Sequence, residues 1–296
     1  MSLRSTALYH LMQMIAPDLS DPAVIAKVIA KDRAGGPKRP SRRLQRRFAF
    51  SEATEHGATV FRMRRRGEPP ARLTMLYIHG GGYVLDFQTP QWNLAAGLLE
   101  RVAMEVVAPV YPLGPEADWR ATMAALKQQY VALAEAAGAA NIVVMGDSAG
   151  GGLALLLAQL VRDEGLAAPA ALLLFSPSLD LSGSGADQPA LDRRDPALSL
   201  AMFPVLAAMW AKDVPANDPR VSPLFADQRD LPPTMVFSGD RDILHSDALR
   251  LKAANPAVDH RFYPDMMHVW PGMPLPEART ALDEAAAFIR AHVALS

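Results

Sequence analysis

Ile142-Val143-Val144-Met145-Gly146-Asp147-Ser148-Ala149-Gly150-Gly151-Gly152 is the stretch of this chain that decides its fold. Four apolar residues with no polar alternation suit a strand buried on both faces of a parallel sheet. Small residues follow at once, and residues 150–163 then carry an apolar helical pattern. Gly146 to Gly150 fits G-x-S-x-G in the setting that pattern needs: a strand, a sharp turn that lifts a serine hydroxyl, and a helix. Ser148 would sit at a helix N-terminus, where the backbone dipole favours developing negative charge. The competing reading is a glycine-rich turn that binds phosphate. It lacks the lysine of a P-loop and the spacing of a dinucleotide fingerprint.

Outward from this stretch, short β-rich runs occur at 46–50, 58–64, 73–78, 105–110, 142–145, 171–175, 234–238 and 259–263. Helical patterns lie at 92–103, 119–137, 150–163, 244–254 and 276–294. Eight runs alternating with helices predict an α/β fold, a mostly parallel eight-stranded sheet with helices on both faces. Residues 3–15 and 22–32 have helical spacing ahead of the punctuating segment Gly35–Pro40, and Asp21-Pro22 reads as an N-cap followed by proline at the first helical position. Residues 182–216 break the rhythm. Leu198, Met202, Val205, Met209 and Trp210 share a helical face there, and Pro204 is expected to kink it or split it in two.

The run 73–78 leads into His79-Gly80-Gly81-Gly82-Tyr83. Three successive glycines carry an entropic cost. They make sense where backbone N–H groups must face a ligand, as in the oxyanion hole of acyl transfer. Gly81, Gly82 and Ala149 are the candidate donors. His79 is a rival for the catalytic base, against which stands its place upstream of Ser148, since on this kind of fold the triad runs serine, acid, histidine.

The His-Gly-Gly-Gly and Gly-Asp-Ser-Ala-Gly-Gly segments stand 69 residues apart from His79 to Ser148. Together they resemble the hormone-sensitive-lipase family of α/β-hydrolases, which includes bacterial carboxylesterases. Tyr111-Pro112-Leu113-Gly114-Pro115-Glu116 is similar to that family's Tyr-Arg-Leu-Ala-Pro-Glu segment, with Pro112 in place of the arginine. The resemblance spans roughly residues 70–275. It implies an α/β-hydrolase fold with a helical cap: residues 1–45 as the N-terminal part of the cap, 46–181 and 217–296 as the catalytic domain, and 182–216 as a cap insertion. It implies Ser148 as nucleophile. Asp242, in Asp242-Ile243-Leu244, aligns best with the acid, with Asp240 as competitor. His268 is implied as base, while His245 is expected as a surface or capping residue. Glu116 either orients the glycine loop or is a surface carboxylate, and Asp147 is expected as structural support.

Half of the 296 residues are apolar and 21% are charged, with a formal net charge of -1 and no cysteine. A disulfide framework, a thiolate metal site and cysteine nucleophilic chemistry are excluded. No cofactor and no metal is called for, because no metal-ligand spacing such as H-E-x-x-H occurs. Residues 1–72 hold 15 basic and 6 acidic side chains. Aromatic residues do not interleave with them, so a solvated face is expected rather than a nucleic-acid surface. His10 and Gln13 interrupt the N-terminal apolar run, and no stretch is long enough to span a bilayer. The expected compartment is the cytoplasm, without stable membrane insertion. A homodimer is allowed by the resemblance, though the sequence carries no signal for it.

The expected reaction is hydrolysis of short- to medium-chain hydrophobic esters by a serine carboxylesterase through an acyl-enzyme. Expected pocket residues are Tyr83, Phe87, Met202, Phe203, Leu206, Met209, Trp210 and Trp270, with Val205 and Met266 beside them. A lactone hydrolase would use the same groups, as would cleavage of amides or thioesters. A ligand-binding receptor on the same fold is the alternative from another class, and His268 argues against it.

Overall fold

The computed structural model describes residues 2–15, 21–68 and 71–293. The end of the expected C-terminal helix, 294, and parts of the expected N-terminal cap segment lie outside those residues. The sheet contains β1 (Phe48–Glu55), β2 (Ala58–Arg65), β3 (Thr74–Ile78), β4 (Glu105–Pro109), β5 (Ile142–Asp147), β6 (Ala171–Phe175), β7 (Thr234–Arg241) and β8 (Asp259–Met267). Its order is β1-β2-β4-β3-β5-β6-β7-β8. β2 pairs antiparallel with β1 and β4, and every other neighbour is parallel.

β3, β5 and β6 are buried along their whole length, which is why they read as unbroken apolar runs. Their side chains alternate between two cores. Val143, Met145, Leu173 and Phe175 point to one side, where α4 (Thr89–Leu99) and α10 (Pro276–His292) pack. Ile142, Val144, Leu172 and Leu174 point to the other, against α5 (Trp119–Ala137), α6 (Ala149–Asp163) and α9 (His245–Ala254). Two more helices, α1 (Leu3–Ile15) and α2 (Pro22–Gly35), precede the short α3 (Arg42–Arg47). Between β6 and β7 lie α7 (Gln188–Asp192) and α8 (Met202–Trp210).

Several features differ from the sequence reading for physical reasons. β1 runs on to Glu55 although Ser51 to Glu55 is polar. Its pairing is set by the two-residue turn His56-Gly57, both at positive φ, a geometry that matches strand twist, and an edge strand facing water can be polar. The expected kink at Pro204 is absent. Pro204 falls in the first turn of α8, where its missing N–H has no intrahelical partner to lose, and Leu198 lies ahead of the helix. β7 and β8 extend to Arg241 and Met267 through an irregularity between Gly239 and Arg241.

The chain leaves β3, winds outward to β4, then returns past β3 to build β5 on its other side. Such a reversal of winding leaves a crevice at the carboxyl ends of the strands, where ligands bind in open α/β sheets. The crevice here lies between the ends of β3 and β5, at His79–Gly82 and Ser148. Close backbone approach demands glycine at this point. A Cβ on Gly150 would sit 2.1 Å from the carbonyl oxygen of Ile78, and one on Gly146 would sit 2.1 Å from that of Gly150. Gly150→Ala must push α6 away from β3, so it is expected to lower stability by about 3 kcal/mol. A shift of the urea midpoint to lower concentration checks this, and an unchanged midpoint refutes it.

Candidate active site

β5 ends at Asp147 and α6 begins at Ala149, so Ser148 carries the whole turn, at φ 54° and ψ -128°. A side-chain-bearing residue at such a φ costs energy and persists only where its surroundings over-determine it. They do so here. The Ser148 N–H donates to the Phe175 carbonyl at 2.9 Å, and the Ser148 carbonyl accepts from Gly151 and Ser178, also at 2.9 Å. Ser148 is partly exposed while its neighbours from Ile142 to Gly152 are buried.

Asp147 is buried, and its carboxylate accepts from the Tyr77 hydroxyl (2.7 Å), the Gly80 N–H (3.1 Å) and Gln91 Nε2 (3.1 Å). It ties the end of β5 to the glycine loop, and burial pushes its carboxyl above the usual carboxylate range against those hydrogen bonds. Gly81 (φ 126°) and Gly82 (φ 60°) occupy backbone that favours glycine. Among the described residues no protein acceptor engages their N–H groups, and both line the cavity described below. His79 is kept out of that cavity. It is fully buried, packed between Tyr111 and Phe87 at 4.4 Å each, and its Nδ1 lies 2.7 Å from the Gly80 carbonyl. Burial lowers its pKa to about 4.

The loop after β7 carries Asp242, fully buried, and the loop after β8 carries His268. His268 Nδ1 stands 3.0 Å from Asp242 Oδ2, while Asp242 Oδ1 accepts the Leu244 N–H at 2.9 Å. With Nδ1 committed to Asp242, Nε2 is the nitrogen left to face the cavity. Burial lowers the His268 pKa, but the charge and hydrogen bond of Asp242, with Asp195 and Asp147 behind, outweigh it, so the net displacement is upward. Asp240 is engaged elsewhere: it accepts the Asp265 N–H at 2.6 Å and pairs with Arg194 at 3.0 Å.

Ser148, His268, Asp147, Gly81 and Gly82 all border one cavity of about 430 Å³. The remainder of its wall is mostly apolar and comes from four parts of the chain, one of them Gln88, Pro90 and Gln91 at the start of α4. Met12, Ile25, Val28 and Ile29 belong to α1 and α2. Val84, Leu85, Val269 and Met273 come from loops of the sheet. Ala197, Leu198, Met202, Phe203 and Leu206 come from the segment between β6 and β7.

Of the expected pocket residues, Met202, Phe203 and Leu206 are therefore in the wall, and the others are not among its lining residues. Tyr83 is buried and stacks on Trp210 at 4.1 Å, and Trp210 donates its indole N–H to Thr122. Phe87 stacks on Trp92 at 4.7 Å, and Trp270 lies buried beside Tyr263. Large aromatic rings gain most from complete burial, and these were drawn into the core instead. Val205 and Met209 pack partly buried on the same core, and Met266 is buried. One polar reading changes, and between two readings of Glu116 the surface one is favoured. His245 is buried rather than at the surface, 2.8 Å from the Ser238 hydroxyl that also contacts His260. Glu116 is exposed and paired with Arg33 of α2, so it does not contact the glycine loop. Arg33 also donates to the Gly114 carbonyl at 2.9 Å, a cation beside the segment where Pro112 stands.

Residues 75–272 match the α/β-hydrolase fold family. The chain is 33% identical over 225 residues to an acetyl-hydrolase of Streptomyces hygroscopicus, covering 73% of this chain and 75% of the relative. It is 31% identical over 235 residues to an esterase of Acinetobacter venetianus, covering 75% and 76%. A solved structure of a hormone-sensitive lipase from a metagenome library superposes with a TM-score of 0.82 at 25% identity, covering 98% of this chain and 99% of that one. A strained serine between strand and helix, beside a glycine loop on an eight-stranded sheet, defines the α/β-hydrolases as a class. The chain belongs to that family, in its hormone-sensitive-lipase branch.

Proposed function

We propose that the chain is a serine carboxylesterase that hydrolyses short- to medium-chain hydrophobic esters through an acyl-enzyme. An esterase on the α/β-hydrolase fold is the coarser statement that its family relationships carry. The finer reading rests on one observation: Ser148, the His268–Asp242 pair and the glycine-loop amides all open on one apolar cavity. In this reading Asp242 orients His268 and stabilises its imidazolium. His268 Nε2 takes the proton of Ser148, whose oxygen bonds to the ester carbonyl carbon. The backbone N–H groups of Gly81, Gly82 and Ala149 hold the oxyanion. The alcohol leaves with the proton from His268, and a water molecule, activated by the same nitrogen, releases the acid.

The cavity supports the substrate class. Its volume falls in the range of small-molecule sites. Among the described residues no lysine or arginine borders it, so a substrate carboxylate entering it would lose its hydration without gaining a guanidinium or ammonium partner. The acetyl-hydrolase relative supports small acyl groups. We expect kcat/KM for p-nitrophenyl esters to be highest from acetate to octanoate. A terminal carboxylate on the acyl chain should cost roughly 100-fold, the scale of an unpaired buried charge. A panel of p-nitrophenyl esters, extended to lactones, tests the reading. Equal rates for neutral and carboxylate-bearing esters would refute it, and a preference for lactones would reassign the substrate while keeping the chemistry.

A further inference from the structure

Two consecutive residues of the segment between β6 and β7 grip the loop that carries Asp242. Arg194 donates to Asp240 at 3.0 Å. Asp195 accepts the N–H of Ile243 on Oδ2 at 2.9 Å. Asp240, two residues before Asp242, and Ile243, just after it, are thus both held from outside the sheet. The other oxygen of Asp195 accepts the N–H groups of Ala197 and Leu198, at 2.8 and 2.9 Å, and both of these residues line the cavity. Tyr9 of α1 completes the clamp. Its hydroxyl donates to the Arg194 carbonyl at 3.0 Å, and its ring lies 4.0 Å from the Arg241 guanidinium carbon.

We propose that Asp195 is a positioning residue for the reaction, which fixes the Asp242 loop against His268 and keeps a second negative charge behind the imidazolium. The inference rests on the serine-triad reading above. Ile243 and Asp242 are fully buried. The turn 242–244 presents two successive N–H groups, one satisfied by Asp242 itself and the other by Asp195. Without Asp195 the Ile243 N–H loses this partner in a buried place, and a buried donor left unpaired drives its loop to relax. Asp242 would move with it.

The electrostatic part has a definite sign. Burial, then the charge of Asp242, hold the Asp195 carboxyl up at about 6. His268, when protonated, is the cation that faces it, and the ion pairs Arg194–Asp240 and Arg241–Asp265 close the rim of the loop. An ionised Asp195 favours the imidazolium of His268. His268 must be neutral to accept the serine proton, so removing that charge should move the acid limb of kcat/KM to lower pH.

The experiment compares Asp195→Asn, Asp195→Glu, Asp192→Asn and Ser148→Ala with wild type, reading kcat and KM for p-nitrophenyl butyrate across acidic and neutral pH together with thermal melting. An asparagine offers one carbonyl oxygen where two carboxylate oxygens now serve, and it carries no charge. Asp195→Asn should lower kcat roughly 10- to 100-fold, the scale of a displaced catalytic group, with KM little changed and the acid limb moved down. Asp195→Glu keeps the charge but displaces the acceptor, so kcat should fall with the limb in place. Asp192, whose carboxylate accepts the Leu200 N–H in the same segment, is the control and should affect melting alone. An Asp195→Asn enzyme with wild-type kcat and limb overturns the inference, as does a matching kcat loss in Asp192→Asn. If Asp195→Asn does not fold, Asp195→Glu decides, and wild-type kcat there overturns it too. A fully active Ser148→Ala would overturn the triad reading and this inference together. An inactive Ser148→Ala beside an unchanged Asp195→Asn would overturn this inference alone.

Discussion

Ser148→Ala is expected to lower kcat by roughly 10⁶-fold, the scale seen when the nucleophile of a serine triad is removed, and to leave the melting temperature close to that of wild type. The size of the loss follows from the chemistry. In the proposed mechanism the serine oxygen forms the bond that divides one difficult displacement into two easier ones, and no neighbouring side chain can take its place. Asp147 is committed to Tyr77, Gly80 and Gln91, and His79 is enclosed between two aromatic rings. Stability should be little affected because the turn is held by backbone hydrogen bonds to Phe175, Gly151 and Ser178, all of which alanine preserves. Steady-state kinetics on purified protein, with labelling by a fluorophosphonate, makes the measurement. A variant within about 100-fold of wild type would retain more than the residual catalysis of an oxyanion hole and would remove Ser148 from the mechanism.

Asp242→Asn should cost about 10⁴-fold in kcat, whereas Asp240→Asn should cost less than about tenfold. Asp240 lies near the end of β7 and Asp242 opens the loop after it, and both are carboxylates, so the contrast isolates position from charge. Asp242 is 3.0 Å from His268 Nδ1. An asparagine there can turn its N–H₂ towards the ring and favour the tautomer that carries the proton on Nε2, which cannot then accept one from Ser148. Asp240 faces Arg194 and the Asp265 backbone, and its loss would loosen the histidine loop without touching the imidazole. Rates measured at a pH where His268 is neutral rank the two variants. The opposite order would transfer the acid role to Asp240.

The parts of the molecule that were legible from sequence are those where burial and chemistry dictate the same residues. Met145 must be apolar to cross the sheet, and Gly146 and Gly150 must be small because backbone oxygens stand 2.1 Å from where a Cβ would be. Asp242 and His268 stand at strand ends, where short loops fix their reach. The cavity wall was far less legible. Ile25, Val28 and Ile29 repeat with the spacing of any helix that packs on a core, and only the tertiary arrangement turns that stripe towards Ser148. Tyr83, Phe87, Trp210 and Trp270 show the reverse error: their size suggested contact with a ligand, but core burial claimed them. Asp195 has no signature at all, since its importance lies in an amide 48 residues further along the chain.

The wall of the cavity is borrowed from stretches far apart in sequence, while the proposed reacting groups all hang from the ends of β3, β5, β7 and β8. Much of what would recognise a substrate is therefore written in passages of the polypeptide remote from the proposed chemistry, though Val84, Leu85 and Val269 share its loops. Grafting a relative's first two helices onto this scaffold would trade one palate of esters for another and leave the engine untouched.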